Sequence, residues 1–335
     1  MAERILLDHG SGGKIANRLI RDLLLPAFDD PELSRLNDGA ILETNGLRIA
    51  FSTDSFVVEP LFFPGGNIGD LAVNGTVNDI AMCGAVPLYL STGLILEEGF
   101  DMGELSVIVD TMGRAARGAG VRVVTGDTKV VPGGAADKLF INTSGIGIIP
   151  AGVDIAARRA EPGDLILLSG TIADHGMAVL ARREGLTFET TIVSDTAPLN
   201  RMVAAMLAVT RNIHTLRDPT RGGVGAILNE IAQSAGVGIR IWEEKIPLRP
   251  EVGGLCELLG FDPLFVANEG KLVAFVPEAE AEAVLEAIRH DPLGENACII
   301  GRVLADSPGR VVMETRIGGT RLIDTPAGEQ LPRIC

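Results

Sequence analysis

The sequence predicts an α/β (α+β) protein of two mixed domains, and three observations carry that expectation. Apolar, strand-like runs alternate with segments of helical period through the first half. The alternation pauses in "PAGVDIAARRAEPGD" and restarts with the strand-like "LILLSG". A chain of 335 residues, 46% of them hydrophobic, is long enough for two cores, because domains commonly run to ~100–200 residues. The expected division is an N-terminal domain over 1–155, a C-terminal α/β domain over 156–324 and a tail over 325–335.

Taken in order, "GLRIAFSTDSFVV" reads as a strand running into a loop. "NIGDLAVNGTVNDIAMCG" has helical spacing, with Asp70, Asn74 and Asn78 on one polar face. "VPLYLSTGLIL" is a strand and "DMGELSVIVDTMGRAARGAG" a helix closed by glycine. "VRVVTGD" and "KLFINTSGIGII" are strands. In the second half, helices are expected near 174–184 and 198–210, then from "RDPTRGG" to about Ser234, near 251–259 and over 278–290. Strands are expected near 238–242 and 271–276, with a closing β-rich stretch. After Asp324 the periodicity stops: "TPAGEQLPRIC" reads as a flexible, extended tail. From Pro326 to Cys335 it spans at most ~33 Å, enough to carry the terminal cysteine into a cleft.

Charge and composition exclude several classes. The net charge of −15, with no basic stripe, argues against nucleic acid. No apolar run approaches the ~18 residues of a membrane span. The opening "MAERILLDHGSGG" lacks the basic-then-apolar layout of a signal peptide, so a cytoplasmic protein is expected. Cys83, Cys256 and Cys298 lie among apolar neighbours and read as buried small hydrophobes, without metal-ligand spacing. Cys335 is different: a thiol on the last residue is either an accident of composition or a working part.

Two features carry chemistry. "DHGSGGK" (Asp8 to Lys14) is rich enough in glycine for backbone N–H groups to approach phosphate oxygens, although the Walker spacing is absent and Ile15 follows Lys14. Five aspartates, Asp38, Asp54, Asp79, Asp127 and Asp218, lie at or near the ends of apolar segments. A single aspartate there is commonly a turn or cap residue. Several converging on one cleft would form a hard oxygen site suited to Mg²⁺ and phosphates.

"STDSFV", "VNGTVNDIAMCGAVPLYLS", "VVTGDTKVVPGG" and "RDPTRGGVGAILNEIA", in that order, resemble the ATP-binding superfamily of aminoimidazole ribonucleotide synthetase, selenophosphate synthetase and thiamine monophosphate kinase. The resemblance spans nearly the whole chain. The terminal Pro332-Arg333-Ile334-Cys335 resembles one branch of it, the carbamoyl dehydratases that build the cyanide ligands of NiFe hydrogenase. The resemblance implies an N-terminal ATP-binding domain that dimerises through a β-barrel, and ATP with Mg²⁺ in the cleft between the domains. It implies metal ligation by Asp38, Asp54, Asp79, Asp127 and Asp218, the last with helix capping as an alternative. ATP contacts are implied for Gly10, Ser11, Gly12, Gly13, Lys14, Asp54, Asn78, Asp79, Thr125, Gly126 and Asp127. Cys335 would carry the carbamoyl group, with Glu269 as general base and Lys129 beside it. The implied partners are the carbamoyltransferase HypF, which loads Cys335, the HypC–HypD iron scaffold, which accepts cyanide, and a second copy of the chain.

Two other readings compete. A superfamily kinase or synthetase acting on a free small molecule is weakened because selenophosphate synthetase would carry a cysteine near the glycine loop, whereas the first cysteine here is Cys83. A non-catalytic carrier would have no use for the aspartates or the glycine loop.

Overall fold

The computed structural model describes residues 4–10, 13–186, 191–326, 331 and 333–335. The chain enters through two short helices, α1 (Lys14–Leu19) and α2 (Leu25–Phe28), joined by a π-type turn over Ile20–Leu24. Of these, Ala16 alone is buried, so the sequence offered no amphipathic stripe by which to expect them.

β1 (Ala40–Thr44) and β2 (Leu47–Phe56) form a hairpin across Asn45-Gly46. Both turn residues have positive φ, 49° and 78°, the backbone that Asn-Gly adopts at little cost and that matches strand twist. β3 (Phe62–Phe63) and β4 (Gly66–Asn67) make a small ribbon leading into α3 (Ile68–Met82). A capping box starts this helix: Gly69 N–H donates to Asn67 Oδ1 at 2.8 Å, and Asn67 N–H to Asp70 Oδ1 at 3.2 Å. β5 (Val86–Glu97), α4 (Met102–Ala119) and β6 (Arg122–Val131) form a βαβ unit, and β7 (Leu139–Ile148) returns antiparallel between β2 and β5. The resulting order is β1-β2-β7-β5-β6, an open sheet with β1 and β6 at its edges.

One face of this sheet carries α3, and the approach is close. A Cβ on Gly147 would stand 2.5 Å from Ile80 Cγ2, and one on Gly145 2.6 Å from Ile80 Cδ1. The "SGIG" of β7 is therefore what lets the helix lie on the strand. The other face leaves Phe51, Tyr89, Ile95, Ile146 and Ile148 exposed.

The second domain contains β8 (Asp164–Leu168), α5 (Asp174–Arg183), α6 (Asn200–Val209), β9 (Thr215–Arg217), α7 (Gly223–Ala235) and β10 (Gly238–Trp242). It continues with α8 (Pro250–Leu259), β11 (Val273–Pro277), α9 (Glu278–Arg289), β12 (Cys298–Leu304), β13 (Val311–Glu314) and β14 (Thr320–Ile323). Its seven strands run in the order β14-β13-β10-β12-β8-β11-β9. The central strands are buried on both faces, as covered sheets require. Ile166, Leu168, Val273 and Phe275 face the core with α7, whereas Leu167, Ala274 and Val276 face α9, α6 and the first domain. That second core is continuous with the one around α3, so the two domains are packed together and not merely linked.

The second-half elements fall within about two residues of their expected positions. The expected division at 155/156 lies in the segment between β7 and β8. Cys298 departs from expectation. It is half-exposed because it opens β12 at a strand end, whereas Cys83 and Cys256 are buried. Among the described residues no helix is long and apolar enough to cross a membrane.

Candidate active site

Where the two domains meet, several strand and helix ends deliver carboxylates to one place. Asp38 precedes β1, Asp54 lies in β2, Asp79 in the last turn of α3, Asp218 directly after β9 and Glu269 before β11. Asp79, Asp218 and Glu269 each sense others of the set, and none of the five has the ionisation of a surface carboxylate. Burial raises Asp38 to about 6, with Arg217 opposing. Burial and then Asp38 raise Asp218 to about 8. Asp79 is pushed well above the usual range by burial, then by Asp218, Asp54 and Asp38. Glu269 is also pushed well up, by burial and then by Asp218 and Asp54. Asp54 is raised by burial, against the pull of Arg221. Like charges in a poorly solvated site disfavour one another's ionised form.

The sequence reading missed the cations that hold this cluster. Arg217 Nε lies 3.0 Å from Asp38 Oδ1, and its Nη2 lies 2.9 Å from Glu230 Oε2. Arg221 Nη1 donates to the Gly10 carbonyl at 2.8 Å, tying the glycine segment to this end of the cleft. Both belong to "RDPTRGG". A demand for local charge compensation around Asp218 would have pointed to them. Ser52 Oγ donates to Asp79 Oδ2 at 2.6 Å.

Asp218 does not cap α7. The residue before that helix is Gly222, in the left-handed region at φ 79°, with no side-chain cap bond. Asp218 is instead buried among the other carboxylates. Among the described residues, no three His, Cys, Asp or Glu side chains converge tightly enough to hold a metal ion. Asp38 is turned to Arg217, and Asp54 accepts its neighbour Ser55 N–H at 2.7 Å. The donor set still fits Mg²⁺ in kind: it is all oxygen and half-buried or buried, and a bound cation would relieve the mutual repulsion that raises Asp79 and Asp218.

The β6 residues lie elsewhere in this chain. Asp127 and Lys129 are exposed and paired at 2.7 Å on the outer strand. Lys129 holds Asp127 below the usual carboxylate range, first by hydrogen bond and then by charge. The structure therefore does not bring Lys129 to Glu269, because β6 is a sheet edge. Thr125 is exposed on the same strand. Gly126 answers a packing need, since a Cβ there would stand 2.6 Å from the Thr92 carbonyl oxygen. Asn78 has protein partners at both ends of its amide. Its Nδ2 donates to Ala197 O (3.1 Å) and Glu269 O (3.3 Å), and its Oδ1 accepts Leu199 N–H (2.8 Å). It joins α3 to the second domain beside Glu269.

Gly13 precedes α1 with extended backbone. Lys14 bonds Asp324 through Nζ at 2.9 Å and Pro326 O through its N–H at 3.3 Å, so the glycine segment touches the start of the tail. Ser11 and Gly12 lie outside the described residues.

The end of the tail is docked. Leu331 and Ile334 are buried, and Cys335 is half-exposed. Val57 N–H donates to Cys335 O at 3.0 Å, and Glu59 N–H to Arg333 O at 3.2 Å. This is an antiparallel register against the segment just beyond β2. The tail that the sequence reads as flexible and extended is docked at its last described residues, where the side chains of Leu331 and Ile334 join the core. The register sets Cys335 opposite Val57, three residues from Asp54. Burial raises the other thiols, Cys256 and Cys298 to about 11 and Cys83 further still, so they are poor thiolates near neutral pH.

The cluster has a consequence for stability. Asp218 ionises near 8 in the folded chain against an ordinary 3.8, and Asp79 and Glu269 are raised in the same direction. Between about pH 6 and about pH 8 the folded state therefore holds more protons than the unfolded one, and stability falls as pH rises. The thermal midpoint of nucleotide-free, chelator-treated protein is expected to drop across that window, and Mg²⁺ with ATP to remove much of the drop. A midpoint that rises would overturn the electrostatic account.

The fold and this cleft define a protein of the AIR synthase related class. The N-terminal family domain matches residues 36–149 and the C-terminal one residues 161–314. Carbamoyl dehydratase HypE of Rhizobium leguminosarum bv. viciae is 55% identical over 333 residues, 99% of this chain and 95% of that one. A crystal structure of hydrogenase maturation protein HypE in complex with ATP superposes with TM-score 0.84 at 53% identity, covering 99% of this chain and 100% of that one. A HypE–HypF complex gives TM-score 0.88 at 48% identity over 92% and 99%. The chain belongs to the HypE family of carbamoyl dehydratases.

Proposed function

We propose that the chain is an ATP-dependent carbamoyl dehydratase of hydrogenase maturation, acting on a carbamoyl group carried by its own Cys335. The observation that carries this reading is the docked terminus: the Val57 N–H holds the Cys335 carbonyl oxygen, three residues along the chain from Asp54 of the raised carboxylate cluster. The family's ATP-bound member and its HypE–HypF complex support ATP as co-substrate and HypF as the loading partner.

The chemistry suits the parts. An S–C(=O)–NH2 group cannot expel its amide oxygen unaided. Transfer of the γ-phosphoryl of ATP to that oxygen, with loss of one N–H proton, gives S–C(OPO3)=NH and ADP. Departure of phosphate with loss of the second N–H proton gives S–C≡N. Mg²⁺ held by Asp38, Asp54, Asp79 and Asp218 would supply charge stabilisation to the phosphates. Glu269, buried in the carboxylate cluster, is the base we assign to the nitrogen protons. Gly10–Lys14 and Arg221 would close over the phosphates. A substrate tethered to the enzyme's own tail gains effective concentration and can load at one protein and unload at another.

Two further assignments belong to this reading. The exposed apolar face around Phe51, Tyr89 and Ile146, with the open β6 edge, favours a homodimer. Closing that face would place the Asp127–Lys129 strand at the seam, where both residues can serve a cleft. The HypC–HypD scaffold would then take cyanide from the loaded tail.

The test is the mass of the C-terminal peptide after incubation with ATP, carbamoyl phosphate and the loading enzyme. A shift of about +43 Da that converts to about +25 Da only with ATP is the expected result for thiol carbamoylation followed by dehydration. Turnover of ATP with an unmodified tail would favour the free-substrate kinase reading.

A further inference from the structure

Helix α5 lies along the docked terminus and contacts it from both ends. In its first turn, His175 is buried, with Nε2 2.8 Å from the Ile334 carbonyl oxygen and Nδ1 2.7 Å from Ser194 Oγ. A carbonyl oxygen only accepts, so Nε2 carries the proton and donates. Nδ1 of the neutral ring then accepts from the Ser194 hydroxyl, whose oxygen in turn accepts Thr196 N–H at 3.1 Å. The tautomer is thus set by a chain of bonds that ends on the residue before Cys335. The Phe63 ring meets the imidazole edge-on at 5.4 Å and 87°, which restricts its rotation. The next residue, Gly176, leaves room for Leu331: a Cβ there would stand 3.3 Å from Leu331 Cδ1 and 2.4 Å from Val266 Cγ1. In the last turn of α5, Arg183 donates through Nη2 to Arg333 O (2.7 Å) and through Nε to Glu59 O (2.8 Å). It therefore bridges the tail and the strand segment that pairs with it. Arg333 answers with Nε to Val57 O (3.0 Å) and Nη1 to Asp137 (2.5 Å).

We infer that His175 and Arg183 are positioning residues that latch the terminus, holding Cys335 in register in the cleft while leaving it releasable. This deepens the proposed function and rests on Cys335 being the carrier. The latch acts through main-chain acceptors of Arg333 and Ile334, so it grips the tail whatever group the sulfur bears. None of its bonds is covalent, and the grip is a handful of hydrogen bonds plus two buried aliphatic side chains. A tail held this way can be withdrawn for loading, whereas a strand buried in the sheet could not.

The test reads tail position separately from chemistry. The full-length protein is treated with iodoacetamide, and alkylation of Cys335 is followed by mass spectrometry of the C-terminal peptide. His175→Leu keeps an apolar filler but loses the donor, and Cys335 is expected to alkylate about tenfold faster, as loss of roughly one net hydrogen bond predicts. His175→Gln restores an N–H donor and is expected to bring the rate back towards that of the native protein. In the same pair, ATP-dependent conversion of pre-loaded tail slows for Leu and recovers for Gln, while loading by the carbamoyltransferase is undiminished in both. Should His175→Leu fail to fold, Ser194→Ala removes the tautomer-setting bond and is expected to accelerate alkylation as well. Equal alkylation rates in all variants, or Gln behaving as Leu does, would overturn the latch. If the latch holds but the tail never gains a carbamoyl group, the alkylation difference persists and the carrier reading alone is lost.

Discussion

Cys335→Ala is expected to leave a folded protein that binds ATP and forms no carbamoyl or cyano adduct. The side chain lies at the terminus and is half-exposed, and its removal touches neither the docking bonds of the main chain nor the buried Leu331 and Ile334. Surface truncations of this kind usually change stability by within ~0.5 kcal/mol. The carboxylates and arginines of the cleft are all in the body of the protein, so nucleotide affinity is expected to hold. On the proposed function, however, the substrate is a group bonded to that one sulfur. Cys83 and Cys256 are buried, and burial raises the Cys256 and Cys298 thiols to about 11. Mass spectrometry after exposure to the loading system reads the outcome. An adduct of about +43 Da on any of the three remaining cysteines, the mark of thiol carbamoylation, would show that Cys335 is not the carrier.

Glu269→Gln is expected to separate binding from chemistry. In the nucleotide-free chain Glu269 is buried, and its ionisation is pushed well up by burial and by Asp218 and Asp54. Burial and those neighbours favour its neutral form, which a glutamine matches in shape and charge. Its backbone bonds, N–H to Asp195 Oδ1 and carbonyl from Asn78, survive the change. Stability is expected to hold or rise, with loading of the tail and ATP binding retained. Dehydration is expected to slow by ~10²–10⁴-fold, the usual contribution of a general base. The pH profile supplies a second readout. The native enzyme is expected to show a rising limb above the ordinary carboxylate range, and the variant to lose it. Thiocyanate formed at the native rate, or a limb unchanged in the variant, would assign the base elsewhere.

Much of the fold was legible locally. The polar positions of α3 were seen at helical spacing, and the second-half strands and helices followed from period and glycine stops. The π-turned entry helices escaped notice because nearly all of their side chains face outward. The site was legible in part. Asp38, Asp54, Asp79 and Asp218 drew notice because an ionisable group at the end of an apolar run must find a partner. Asp127 satisfied the same pattern and Lys129 was implied by the family resemblance alone, yet this chain pairs them with each other on an edge strand.

The sequence by itself determined the class, the aliphatic two-domain build and the family, and it put a cysteine on the last residue. These are properties of pattern and composition, carried by near neighbours in the chain. Only the tertiary structure decided which carboxylates meet, which cations hold them and where the tail rests. Arg217 finds Asp38, Asn78 finds Glu269 and His175 finds Ile334 across separations of 179, 191 and 159 residues. Such pairings follow from packing two sheets around one shared core. The ionisation of each group depends on how much water that packing removes and on which charges it leaves facing one another.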